Sequence, residues 1–115
     1  MITMYGIPNC DTIKKARAWL QKHGVDYRFH DYKKAGIADT TLRQWSRELS
    51  IDELINKRGT TWRKLDEAER RGVEENEDAA IALMMAKPSL IKRPVLDTGT
   101  KRILGFNEQH YESLL

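Results

Sequence analysis

A chain of 115 residues, 40% hydrophobic and 32% charged, fits one domain able to bury a core without disulfides or a structural metal, and falls outside the disordered and fibrous classes. Its 20 Lys and Arg against 17 Asp and Glu leave a net charge of +3. However, Lys33-Lys34, Arg70-Arg71 and Lys92-Arg93 are separate pairs with no interleaved aromatics, so nucleic-acid binding is not expected. No apolar run approaches the roughly 20 residues that span a bilayer, and Met1 to Gly6 lacks the marks of a secretory signal, so a cytoplasmic protein without membrane contact is expected.

Residues 2 to 7 read as a short strand, and Gly6-Ile7-Pro8-Asn9 as a turn in which Asn9 caps the helix that follows. Cys10 falls where strand becomes helix. From Asp11 to His23, Ile13, Ala16 and Leu20 recur at helical spacing with Trp19 beside them, and Gly24 supplies the stop. Val25 to Tyr32 alternates as a second strand, with Val25, Tyr27, Phe29 and Asp31 on one side and Asp26, Arg28 and His30 on the other. Asp39 is the expected cap of a helix carrying Leu42, Trp45 and Leu49, a short helical turn follows Thr60-Thr61, and Asn76 caps a helix with Ile81, Met84 and Met85 inward. Pro88 ends this stretch. Lys92 to Asp97 is a third strand entered through a proline, Arg102 to Phe106 pairs back across Thr98-Gly99-Thr100, and Asn107 caps a last helix. This order predicts an α/β fold over residues 1–115: a thioredoxin-like four-stranded mixed sheet flanked by helices, with a helical insertion over about residues 38–88.

Cys10 is the only cysteine, so redox chemistry here needs an external thiol or a second protein. A free thiol titrates at about 8.5 and is mostly protonated at neutral pH. At a helix N-terminus, unpaired amides and the macrodipole favour the thiolate. Lys14, four residues on, and Arg17, a turn further, favour it too; Asp11 opposes them, and the Thr12 hydroxyl is a potential donor. The turn before Cys10 places it at an exposed site rather than a core one, which favours a reactive thiol over an inert buried one. Position 13 is Ile, so there is no Cys-x-x-Cys pair, and resolution must come from outside, for example from glutathione. Arg93-Pro94 is the second constellation. In a thioredoxin-like sheet a proline at this point packs against the cysteine loop, commonly as a cis peptide, and its neighbouring backbone receives an incoming chain. Arg93 then faces the sulfur with a planar fork suited to a carboxylate or oxyanion; the simpler alternative is a turn proline beside a solvated arginine.

His23, His30 and His110 show no spacing suited to metal ligation, and no metal is expected. The run Arg63 to Arg71 reads as a solvated helical face with paired charges, and Met84-Met85 as core filler.

Taken together, Tyr5-Gly6-Ile7-Pro8-Asn9-Cys10-Asp11-Thr12, Lys15 to Leu20, Asn56-Lys57-Arg58-Gly59-Thr60, Lys92-Arg93-Pro94-Val95 and Leu104-Gly105-Phe106 resemble the arsenate reductase (ArsC) family. The similarity is to its YffB-like branch, related to the transcription regulator Spx. In arsenate reductases of this kind a cysteine attacks arsenate, glutathione displaces the product, glutaredoxin resets the enzyme, and three arginines hold the oxyanion. By resemblance, Cys10 is the nucleophile and Arg93 one of those arginines, with Asn9, Asp11, Thr12, Lys14, Arg58 and Pro94 as substrate-binding positions. Asn56 and Gly105 stand where the other two arginines would be, with Arg58 and Arg102 nearby in sequence. Losing two charge-assisted contacts weakens oxyanion binding by about a hundredfold or more. The resemblance therefore implies a glutathione-dependent thiol/disulfide reductase with no bound cofactor, glutathione as co-substrate and glutaredoxin as a partner. Arsenate reduction is one alternative. The other is an Spx-like RNA polymerase-binding regulator without catalysis, against which stands Ile13 in place of that switch's second cysteine.

Overall fold

Alternating side chains in Ile2-Thr3-Met4-Tyr5-Gly6 suit a half-buried strand, and β1 (Ile2–Gly6) lies at the centre of the sheet with Met4 fully buried. The computed structural model describes residues 1–115, which divide into two compact units: Met1–Ala35 with Arg93–Leu115, and Gly36–Lys92. In the first unit β1 pairs in parallel with β2 (Tyr27–Asp31) and antiparallel with β3 (Val95–Asp97), which pairs antiparallel with β4 (Arg102–Leu104). The sheet order is β2-β1-β3-β4. This is the mixed four-stranded thioredoxin-like sheet expected.

The register puts Met4, Phe29, Leu96 and Ile103 on one face and Tyr5, His30, Val95 and Leu104 on the other. Helix α1 (Asp11–Lys22) packs Ile13, Ala16, Trp19 and Leu20 on the first face, where Tyr111 of α8 (Glu108–Tyr111) completes the core. The Trp19 and Phe106 rings meet Tyr111 edge to face, at 5.5 and 5.0 Å. Asn107 caps α8 as expected, its side chain accepting from the His110 N–H. Leu20 is fully buried in this cluster. Leu20→Ala is therefore expected to lower the unfolding free energy by about 2–5 kcal/mol in urea titrations.

The strands are shorter than their apolar patterns. β2 stops at Asp31, where Tyr32 opens a single turn, α2 (Tyr32–Ala35). β3 starts only at Val95, because Pro94 has no N–H to pair, and β4 stops at Leu104, because Gly105 takes a left-handed φ of 71° and donates its N–H to the Pro94 carbonyl.

The second unit is helical: α3 (Asp39–Glu48), α4 (Ile51–Leu54), α5 (Thr60–Lys64), α6 (Glu67–Glu75) and α7 (Glu77–Ala86). The segment after α4 is tied to the end of this unit by an antiparallel bridge between Ile55 and Ile91, with Asn56 N–H on the Leu90 carbonyl and Lys92 N–H on that of Leu54. Asn76 caps α7 as expected, but Asp39 does not cap α3. Ala38 holds that position and Asp39 lies in the first turn, where the helix dipole and Arg43, 3.8 Å away, satisfy its charge. Met85 is also misassigned by the pattern. Ala80, Ile81 and Met84 form the buried stripe, while Met85, about 100° round from Met84, is exposed. Nor is Arg63 to Arg71 one helical face: buried Leu65 pulls the chain inward, and Asp66 starts α6 with a capping box to Glu69. Arg70 turns back onto the carbonyls of Trp62, Arg63 and Leu65, closing the end of α5. Arg71 and Glu67 do form the expected charge pair. No helix is long and apolar enough to cross a membrane.

Candidate active site

The approach to Cys10 depends on Gly6. A Cβ there would run into the buried Ile13 side chain, so the end of β1 passes close against the first turn of α1 and a larger residue would have to displace Ile13. The chain then turns through exposed Pro8 and Asn9. Helix α1 begins one residue later than the sequence implies. Cys10, extended at φ −131° and ψ 128°, is the N-cap, and its carbonyl accepts the first helical hydrogen bond, from Lys14 N–H at 2.9 Å. Asn9 lies outside the helix and caps nothing.

This shift gives the sulfur its chemistry. An N-cap side chain sits over the amides two and three residues on, here Thr12 and Ile13. As a thiol, Cys10 closes no capping hydrogen bond; the amides act on the thiolate. Partial burial pushes the Cys10 pKa up, but the Ile13 amide, a hydrogen bond from Arg93, the Thr12 amide and the Arg93 charge together bring it below its ordinary value. The cysteine is half-buried at the rim of the core rather than sealed inside it.

Of the expected site residues, Cys10, Thr12 and Arg93 converge. Thr12 contributes its main-chain amide. Asp11 and Lys14 are exposed on the first turn of α1. Arg17 is turned the other way: its Nε donates to the Tyr27 hydroxyl at 2.9 Å and its guanidinium lies 4.4 Å from the centre of the Phe29 ring. The Arg93-Pro94 peptide is cis. Pro94 is buried and its carbonyl is taken by Gly105 N–H at 2.8 Å, so that carbonyl is not what an incoming chain meets. Arg58 belongs to the second unit, where its N–H donates to Asn56 Oδ1. Arg102 lies opposite Asp97 in the β3–β4 ladder with 3.6 Å between charges.

Nothing in residue type or spacing marks Tyr32 as part of this site. Gly6 and Asp31 are the last paired residues of β1 and β2, so the cysteine loop and Tyr32 leave the sheet at the same end, where Arg93 also enters β3. The Tyr32 ring packs 6.3 Å from Tyr5 and 6.0 Å from His30, and its hydroxyl is buried with no hydrogen-bond partner. Burial pushes its pKa far above the usual phenol range. The other histidines lie apart: His23 caps the C-terminus of α1 with its ring tilted 4.1 Å from that of Trp19, and His110 is exposed on α8. No group of three or more His, Cys, Asp or Glu side chains is placed to hold a metal ion.

Several known proteins match this chain along most of their length. The YffB protein has a solved structure that matches with a TM-score of 0.92 at 48% identity, covering 98% of this chain and 97% of that one. An arsenate reductase (ArsC) related protein from Brucella melitensis matches with a TM-score of 0.76 at 47% identity, covering 97% and 92%. The global transcriptional regulator Spx of Streptococcus pyogenes serotype M6 is 31% identical over 118 residues, taking in all of this chain and 85% of that protein. The ArsC family model matches residues 5–114, from near the end of β1 to the penultimate residue, and so the chain belongs to the ArsC family.

Proposed function

We propose that this protein is a glutathione-dependent thiol/disulfide oxidoreductase that works through Cys10 alone. The observation that supports it most directly is the position of Cys10 as N-cap of α1 with the Arg93 guanidinium hydrogen-bonded to its sulfur. In this reading the Cys10 thiolate attacks the glutathione sulfur of a mixed disulfide RS–SG. The Cys10–SG bond forms as the RS–SG bond breaks, and the RS⁻ released takes a proton from water. A second glutathione thiolate then attacks the glutathione sulfur on Cys10, giving GSSG and restoring the Cys10 thiolate. The sum is RSSG + GSH → RSH + GSSG. Arg93 presents its fork to a glutathione carboxylate, and the Thr12 and Ile13 amides stabilise the sulfur as it leaves charged.

Two features weigh against arsenate as the substrate. Asn56 and Gly105 bring no charge, and the charge of Arg102 is engaged by Asp97. A partner-binding role of the Spx kind is the second reading, favoured by similarity to that regulator along the whole chain. Its disulfide switch is not available to a chain with buried Ile13 and a single cysteine, so it would bind RNA polymerase without redox control.

The test is the pH dependence of Cys10 alkylation, with mass spectrometry after incubation with oxidised glutathione. The expected result is an alkylation midpoint below about 8.5 and one glutathione adduct per chain. A midpoint at or above that value, with no adduct, rejects the enzyme, and co-purification with RNA polymerase would then favour the second reading.

A further inference from the structure

The Tyr32 hydroxyl needs an explanation. Buried phenols ordinarily find a partner, and leaving a donor unpaired away from water destabilises a fold. Tyr32 is 2% exposed, its oxygen is shut off from solvent, and it closes no hydrogen bond. Its ring is held by Tyr5 and His30, so it is fixed rather than adrift. Its position follows from topology: it is the first residue after the last β1–β2 pair, at the sheet end from which the Cys10 loop departs. The same guanidinium that hydrogen-bonds the Cys10 sulfur, that of Arg93, also acts electrostatically on the Tyr32 phenol. One cation thus connects the reactive sulfur to a buried, unpaired donor.

We propose that the Tyr32 hydroxyl is a further substrate-binding group of this site, donating to a carboxylate oxygen that Arg93 draws to Cys10. The assignment rests on Cys10 being the reactive centre and names the ligand chemistry of that centre. An incoming carboxylate pairs with the guanidinium, whose long side chain shifts toward it, and one carboxylate oxygen meets the phenol behind. The donor is proton-bearing throughout the working range, because burial holds Tyr32 neutral far into alkali. Arg93 supplies charge and Tyr32 supplies direction, so the pair distinguishes a carboxylate from a neutral amide of the same size. In the empty protein the hydroxyl is a liability for stability, as binding groups often are.

The experiment is Tyr32→Phe in the full chain, with alkylation rates of Cys10 measured side by side for iodoacetate, which carries a carboxylate, and iodoacetamide, which is neutral and nearly the same size. The iodoacetate rate is expected to fall about tenfold, the loss of one hydrogen bond to a charged group, with the iodoacetamide rate unchanged and the melting temperature equal or a few degrees higher. A parallel fall in both rates, no change in either, or a drop in melting temperature would overturn the proposal, since each outcome makes the hydroxyl structural or idle. The measurement needs no glutathione. Loss of iodoacetate selectivity in a protein that fails to exchange with glutathione would keep the carboxylate donor and discard the reaction assigned above.

Discussion

Cys10→Ser is expected to reduce thiol/disulfide exchange to the rate of glutathione alone while leaving the fold as stable as before, or more so. The chain has no other cysteine to take over, and a serine hydroxyl stays protonated where a thiolate must attack. The N-cap position explains the second half of the result. Cys10 closes no capping hydrogen bond as a thiol, whereas Ser is among the preferred N-cap residues and its oxygen suits the Thr12 and Ile13 amides, a gain of about 0.5–1 kcal/mol. The margin varies with pH. A thiol whose pKa is lowered by folding adds stability that is absent below the folded pKa and complete above the unfolded pKa of about 8.5. The serine variant's advantage is therefore largest in acid and shrinks as pH rises through that window. Turnover that survives the substitution would remove Cys10 from the mechanism, and a variant that melts well below the parent would contradict its place as a cap.

The strongest local signals in the sequence are the ones the structure follows. Pro8-Asn9 before a helical pattern marks the Cys10 turn, Asn76 and Asn107 cap the helices that follow them, and alternation sets the sheet faces. Each of these features is settled within a few residues. What the pattern misses depends on residues far apart in sequence. The cap of α1 falls on Cys10 rather than Asn9, and the close pass of Gly6 against Ile13 joins two residues seven apart in the chain. Helical spacing brings Arg17 toward the sulfur on paper, but Phe29 and the Tyr27 hydroxyl, both on β2, take its guanidinium. Asp39 looks like a cap because of its type, and only the chain path through Ala38 shows that it is the next residue in. Tyr32 carries no local mark at all. Its importance comes from the parallel register that brings it to the end of β1 and from Arg93, 61 positions on in the chain.

Replacing Arg93 is the substitution that separates the two things asked of it. The guanidinium hydrogen-bonds the Cys10 sulfur and adds its charge, and both bring the thiol pKa down. Arg93→Ala should therefore move the alkylation midpoint upward, toward the free-cysteine value of about 8.5. At neutral pH the variant holds less thiolate, and its iodoacetamide rate falls; above the unperturbed pKa both proteins are fully ionised and the two rates converge. A carboxylate-bearing reagent behaves differently. Loss of a charge-assisted contact worth about 1.5–3 kcal/mol removes a further tenfold to hundredfold from the iodoacetate rate, and this part persists in alkali because it does not depend on thiol ionisation. Arg93→Lys should recover most of the midpoint shift, since a point charge near the sulfur suffices for that, but little of the carboxylate selectivity, which needs the planar fork. If alanine leaves the midpoint in place, the amides of Ile13 and Thr12 alone ionise the thiol. If lysine restores both properties together, Arg93 acts by charge only, and neither a bidentate carboxylate contact nor a second donor behind it is required.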